Sequence, residues 1–304
     1  MTQAFAWWSE SGGPGKTTNC VHTSAAIGRD GYDVVAVDLD QQRGCMSHHM
    51  GYEDLIYGNQ EKSIMSVLFG DDSVEDIIVE TPHFDLVPGH NSLKNFESEV
   101  NNTSLVAIER YKIIRGLLED LAQGYDIIVL DCQASPGLLM DNAIFAARNI
   151  MVPLELTPKG SASQESLKES VEALHEGFID LNVDIAIAAC IPSRVGNAKI
   201  FEQYREELES DDLLVSPFSI PEHSLLKYSW KNKMDLFEFM QNDETRDLRQ
   251  YEEHVPLAFK MIGRMMTGDL TYDEAVDTWD DIKDQRMGDA DPEALLNTSS
   301  EANV

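Results

Sequence analysis

Eight residues near the N-terminus, Ser11-Gly12-Gly13-Pro14-Gly15-Lys16-Thr17-Thr18, constrain this chain more than any other stretch. They follow a short apolar run, Ala4 to Trp8, and open a helical pattern from about Lys16 to Arg29 that stops near Gly31. Glycines let a backbone wrap closely around an anion and turn its N–H groups inward. The helix N-terminus adds about half a positive charge at the same point. Lys16 is placed to neutralise terminal phosphate oxygens, and the Thr17 hydroxyl to ligate a magnesium ion. Pro14 has no N–H, which removes one donor. The plain phosphate-loop pattern requires a glycine where Glu10 stands, so the alternative is a glycine-rich turn before an ordinary helix.

The rest of the chain alternates between apolar runs and helical patterns. Val34 to Val37 is a continuous apolar strand ending in Asp38-Leu39-Asp40, which completes a strand, loop, helix, strand unit. Residues 46–62 read as irregular and polar. Further strands are expected at Phe84 to Pro88, Ile127 to Leu130, Asn149 to Leu154, Ile185 to Ile191 and Leu213 to Ile220. Helices are expected at Ser63 to Phe69, Leu105 to Ala122, Ser163 to Leu174 and Ala198 to Leu208. The expected fold is α/β, a mostly parallel twisted sheet with helices on both faces. The amphipathic stretch Val255 to Met266 reads as a core-packed final helix in preference to a membrane helix. Residues 1–268 form the expected main domain, and 269–304 an acidic helix (Tyr272 to Ile282) with a polar, disordered tail.

Charge narrows the setting. There are 54 acidic residues against 23 basic ones, a formal net charge of -31 spread along the whole chain. Two readings remain: an acidic binder of cationic partners, or a protein of a cytosol with molar salt, where self-repulsion is screened. Cys20, Cys45, Cys132 and Cys190 show neither CxxC nor zinc spacing and are expected to be free thiols. No secretory segment and no apolar run of membrane-spanning length is visible, so a cytoplasmic location is expected.

Three carboxylates stand at predicted strand ends: Asp38 and Asp40 after the second strand, and Asp131 after Ile127-Ile128-Val129-Leu130. Ligands of open α/β sheets sit beyond the carboxyl ends of strands, where such groups suit magnesium-bound water and an attacking water.

Together, Ser11 to Thr18, Val37-Asp38-Leu39-Asp40-Gln41-Gln42 and Leu130-Asp131-Cys132-Gln133-Ala134-Ser135-Pro136-Gly137 resemble the ParA/MinD (Soj-like) ATPases, P-loop NTPases with a deviant Walker A motif, over about residues 3–266. The resemblance implies ATP and Mg2+ as cofactors, bound by Gly12, Gly13, Pro14, Gly15, Lys16, Thr17 and Thr18. It implies that Lys16 and Asp40 are catalytic, with Asp40 orienting the hydrolytic water. Thr17, Asp38 and Asp131 would serve the metal, and Pro221, in Ile220-Pro221, would pack near the adenine. It further implies a cycle between monomer and nucleotide-sandwich homodimer, a centromere-binding ParB-like partner, and a role in plasmid or chromosome partition. The alternatives are a MinD-like cell-positioning ATPase, a nucleotide-gated binding module with little turnover, and an iron–sulfur relative, for which Cys132 alone is too little. The chain departs from the pattern at Ser11, where the family carries a lysine that reaches the partner's phosphates. It also departs at Gln41, at Gln133-Ala134 and at Glu222.

Weaker signals lie outside these motifs. Asn232-Lys233-Met234-Asp235 matches a guanine-reading pattern but does not end a buried strand. Lys227, Tyr228, Trp230, Lys231 and Lys233 form a basic, aromatic patch suited either to DNA phosphates or to a plain solvated loop. His48 and His49 read as surface loop residues, and the acidic C-terminus argues against a membrane.

Overall fold

The computed structural model describes residues 2–10, 12–42, 45–58, 61–70, 72–178, 183–195, 204–206, 208, 213–242 and 252–285, with side chains of 158–165 and 280–285 excepted. Ser11, most of the helix expected at 198–208 and the tail 286–304 lie outside the described residues.

Eight strands form one sheet: β1 (Gln3–Trp7), β2 (Val34–Asp38), β3 (Val79–Glu80), β4 (Asp85–Val87), β5 (Ile127–Asp131), β6 (Asn149–Leu154), β7 (Ala186–Val195) and β8 (Ile220–Pro221). Their order is β3-β4-β2-β5-β1-β6-β7-β8, all parallel except the β3–β4 pair. Successive residues of the central strands pack into opposite cores. Ala6, Val35, Val37, Ile128 and Leu130 enter one. Phe5, Trp7, Val34, Ala36, Ile127 and Val129 enter the other. That period of two inside uninterrupted apolar runs is what a sheet covered on both faces requires. Each of the larger side chains among them, such as Val, Leu, Ile or Phe, contributes about 1.5–3 kcal/mol on removal from water before entropy is counted.

The helices are α1 (Lys16–Arg29), α2 (Met46–His49), α3 (Glu53–Tyr57), α4 (Ile64–Phe69), α5 (Phe96–Asn102), α6 (Ile113–Leu121), α7 (Leu138–Ala147), α8 (Pro158–Phe178), α9 (Ser224–Lys231), α10 (Leu236–Gln241), α11 (His254–Thr267) and α12 (Tyr272–Gln285). α11 buries Val255, Leu257, Phe259, Met261, Ile262 and Met266, as a core-packed helix should. At Gly263 an added Cβ would lie 3.0 Å from Ile27 of α1, so the small residue lets the two helices approach. The acidic α12 docks on the same core, with Ala275 fully buried and Trp279 edge-on to Phe218 at 5.2 Å.

Three sequence expectations are corrected. Residues 46–62 contain α2 and α3 instead of irregular chain. The helix expected from Leu105 begins only at Ile113, after a short 3-10 turn at Glu109–Tyr111. Asn142 holds that break open: its side chain accepts from Ile113 N (3.1 Å) and donates to the Arg110 carbonyl (2.9 Å). The strand expected from Leu213 to Ile220 reduces to a bridge at Val215 and the short β8, because Ser216 turns back on Phe218 and Pro217 has no N–H to pair. α5, α7, α9 and α10 are absent from the sequence expectations. α7 starts at Gly137, whose φ of 145° suits glycine alone, and α9 starts after His223, whose ring accepts from Leu225 N.

Candidate functional site: a phosphate loop facing two buried carboxylates

The first strand ends between β5 and β6, and α1 carries the chain away toward β2, which lies on the far side of β5. The crevice beyond the end of β1 is therefore a switch point of the kind that holds ligands in α/β sheets. Register brings the rest of the site there: Trp7 lies beside Asp131, and Asp131 beside Asp38.

Gly13 and Gly15 both have φ of 97°, a left-handed conformation that glycine adopts without strain. This turns the loop and opens α1, whose first bond runs from Asn19 N to the Gly15 carbonyl at 2.8 Å. Lys16, the first residue of α1, is buried. Burial lowers its pKa, and the nearby Asp131 and Asp40 oppose that shift. The loop's own charge is thus arranged around an acidic floor.

The two strand-end carboxylates, both fully buried, are treated very differently. Asp38 accepts from Asp40 N at 3.1 Å, from Ser47 N at 2.8 Å and from the Ser47 hydroxyl at 2.5 Å. Gly89 N donates to the same Ser47 hydroxyl at 2.9 Å, and a Cβ at Gly89 would stand 2.9 Å from the Asp38 carboxyl carbon. The bracket around Asp38 therefore requires a glycine. Asp131 has neither oxygen in a hydrogen bond of good geometry. The Thr17 hydroxyl faces it and favours its charged form without closing a full bond. Burial, and then the Asp38 charge, push the Asp131 pKa well up. A buried acceptor left open beside a threonine hydroxyl fits a hydrated cation. Among the described residues no cluster of three or more His, Cys, Asp or Glu encloses a metal, so such an ion would keep waters or ligand oxygens in its shell.

Asp40 lies two residues past the strand tip, half-buried, with its Oδ1 accepting from Gln42 N at 2.9 Å. Burial raises its pKa, opposed by that bond and by Lys16. The loops after β2 and β5 are tied together by Gln41 Nε2 donating to Gln133 Oε1 at 3.3 Å. Glu10 turns its carboxylate away, toward the hydroxyls of Ser166 and Ser170 on α8.

Beside the loop lies a cleft of about 310 Å3, walled by Gly13, Gly15 and Thr18 on one side and by Ile220, Pro221 and Trp230 on the other. Pro221 therefore shares one cleft with the loop glycines. Arg194 and His223 also line the cleft and escaped the sequence reading, since nothing in their local pattern marks them.

Other residues find different employment. Asp235 caps α10, accepting from Phe237 N and Glu238 N, and pairs with His83 at 2.8 Å. Lys233 donates to the His48 carbonyl and to Glu53. The guanine-like pattern is therefore spent on packing. Of the basic patch, Lys227 pairs with Glu222 at 2.8 Å and Lys233 with Glu53 at 3.0 Å, which neutralises two of the three lysines. His49 is no surface residue: it is fully buried in α2 against Trp230, with ring centroids 4.6 Å apart, because the helix turns it inward. The four cysteines are buried and unbridged. No described helix is long and apolar enough to cross a membrane.

The AAA domain family (AAA_31) matches residues 2–187. The sporulation initiation inhibitor protein Soj of Bacillus subtilis is 30% identical over 189 residues, covering 62% of this chain and 70% of Soj. The chromosome partitioning protein ParA of Myxococcus xanthus is 28% identical over 203 residues, covering 66% and 68%. The ATP complex of Cyanothece McdA superposes with a TM-score of 0.70 at 17% identity, covering 88% of this chain and 96% of that one, a likeness of fold. With its loop, strand-end carboxylates and sheet order, the chain belongs to the AAA domain family and, within it, to the ParA/MinD ATPases.

Proposed function

We propose that this chain binds and hydrolyses Mg-ATP and uses the cycle, as a ParA-like protein, to partition a plasmid or chromosome. The observation that carries the chemistry is the pair of open Asp131 oxygens facing Thr17 beneath a loop whose lysine is already buried. Backbone N–H groups of Gly12, Gly13 and Gly15 to Thr18 hold the phosphates, and Lys16 offsets their charge. Thr17 and Asp131 would hold the magnesium ion. The metal supplies charge neutralisation on the phosphates. Asp38 serves that site indirectly, since its oxygens already hold Ser47 and the Asp40 backbone. Asp40 orients the attacking water, near enough to Lys16 to feel its charge. Pro221 packs against the adenine in the cleft.

Kinship to Soj and to chromosome partitioning ParA supports the cellular role, with a monomer-to-sandwich-dimer switch, a ParB-like partner and a cytoplasmic location. Residues 1–268 carry the ATPase, and the acidic α12 is an appendage docked on it. The net charge of -31 supports a cytosol rich in salt.

The test is Mg-ATP binding, phosphate release and sizing with ATP, ADP and no nucleotide in molar KCl, for wild type and Lys16→Ala. Wild type should bind, turn over and grow to a dimer with ATP, and Lys16→Ala should lose at least about a hundredfold in affinity or turnover. Equal binding by both proteins sinks the reading. Tight binding and dimerisation with no turnover would instead favour the nucleotide-gated module.

A further inference from the structure

We infer that Arg194 is a second cationic residue of the nucleotide site, which clamps the phosphate loop through Gly13 and offers its open N–H edge to the nucleotide's phosphates. The inference rests on reading the cleft as a nucleoside triphosphate site.

A backbone irregularity sets its position. Ser193 of β7 pairs with Ile220 of β8, and Val195 pairs with Pro221, so Arg194 is the extra residue of a bulge. Its φ is 57°, in the left-handed region that a residue with a Cβ rarely adopts. Bulges re-aim side chains beside binding sites, and strained residues persist where their surroundings hold them.

Here the surroundings are the ends of β6 and β7 and the loop itself. Arg194 Nη1 donates to the Gly13 carbonyl at 3.2 Å and to Glu155 Oε1 at 3.1 Å. Glu155 directly follows β6, so one side chain ties two strand ends to the turn that shapes the loop. Both bonds leave from Nη1, and Nε and Nη2 make none to a described residue. The guanidinium is about half exposed (48%) and lines the same cleft as Gly15 and Pro221. The other rim cation, Lys227, is held by Glu222 at 2.8 Å. A planar guanidinium with an open edge can meet phosphate oxygens in pairs, which an ammonium cannot. Arg194 thus positions the loop and binds the ligand, and takes no part in the bond-breaking step.

The experiment compares wild type, Arg194→Asn and Arg194→Lys. Asparagine tolerates the left-handed conformation, so Arg194→Asn removes the side chain with little backbone penalty. Three readouts are needed: calorimetric Kd for Mg-ATP, the KM and kcat of hydrolysis, and the melting temperature without nucleotide. We expect Arg194→Asn to melt near the wild-type temperature, to weaken Kd and raise KM by about tenfold, and to hold kcat within about twofold. Arg194→Lys keeps the charge and loses the fork, so its binding should be weaker by several-fold. Wild-type affinity in Arg194→Asn overturns the inference. If that variant fails to fold, wild-type affinity in Arg194→Lys overturns it equally. A wild-type protein that does not bind Mg-ATP sinks the nucleotide reading itself, whereas a binding wild type beside an indifferent Arg194→Asn sinks only the role of Arg194.

Discussion

Asp38 and Asp131 end adjacent strands, face each other in register and are equally shut off from solvent. Asp38 is saturated by three protein donors, and Asp131 has none of good geometry. Buried polar groups in folded proteins are nearly always paired, so the unpaired one marks the place kept for something that arrives later. Asp38 is architecture that holds α2 and the Asp40 loop against the sheet. Asp131 carries a folding cost that the proposed cation would relieve. The division extends outward. Behind Asp38 lies a closed layer in which His49 packs on Trp230 and His22, and His22 accepts from Leu236 N at 3.1 Å. On the loop side lies an open cleft, lined by Gly13, Gly15 and Thr18.

The sharpest way to break this comparison is to truncate the saturated carboxylate. Asp38→Ala strands the Ser47 and Asp40 N–H groups in a dry site and should cost about 3 kcal/mol in denaturant melts without nucleotide. A loss below about 1 kcal/mol would mean that the bracket is not structural.

A second test uses pH on the layer behind it. Burial lowers the His49 pKa to about 4, with its Nε2–H donating to the Met234 carbonyl at 3.2 Å. The folded protein therefore keeps His49 neutral, while the unfolded chain takes up a proton near pH 6.5. Its contribution is unchanged above that pH and is lost as pH falls from about 6.5 toward 4, amounting to about 2 kcal/mol by pH 5. His49→Gln should lose less stability than wild type across that window. Parallel melting curves for the two proteins would show that the ring titrates freely.

The smallest effect is the most telling. Asp131→Asn should raise the stability of the nucleotide-free protein by about 1 kcal/mol. The sign follows from the raised carboxyl pKa: the cost of charging Asp131 is present above its folded value and disappears as pH falls below the unfolded value near 4. With Mg-ATP present the order of melting temperatures should reverse. If Asp131→Asn destabilises the empty protein, Asp131 is a structural acid like its neighbour.

Much of this was legible in the sequence, for local reasons. The glycines of 12–15, the lysine and threonine after them, and two apolar runs ending in aspartate each carry their meaning within a few residues. α1 and β6 fall on the expected residues because periodicity and their flanking turns agree. The breaks were not legible, because each depends on a residue distant in the chain. Asn142 interrupts the helix before Ile113, and the partner strand β8 makes Arg194 a bulge.

The sequence by itself determined that a phosphate-binding turn joins a buried strand to a helix, and that aspartates end the neighbouring strands, because backbone conformation and hydrophobic period are local properties. It could not say which aspartate would be satisfied and which left open, or that an arginine some 180 residues away would reach Gly13. Only the packed sheet decided that. Hydrogen-bond partners and desolvation depend on which strands lie side by side, and that order follows from burying both faces at once.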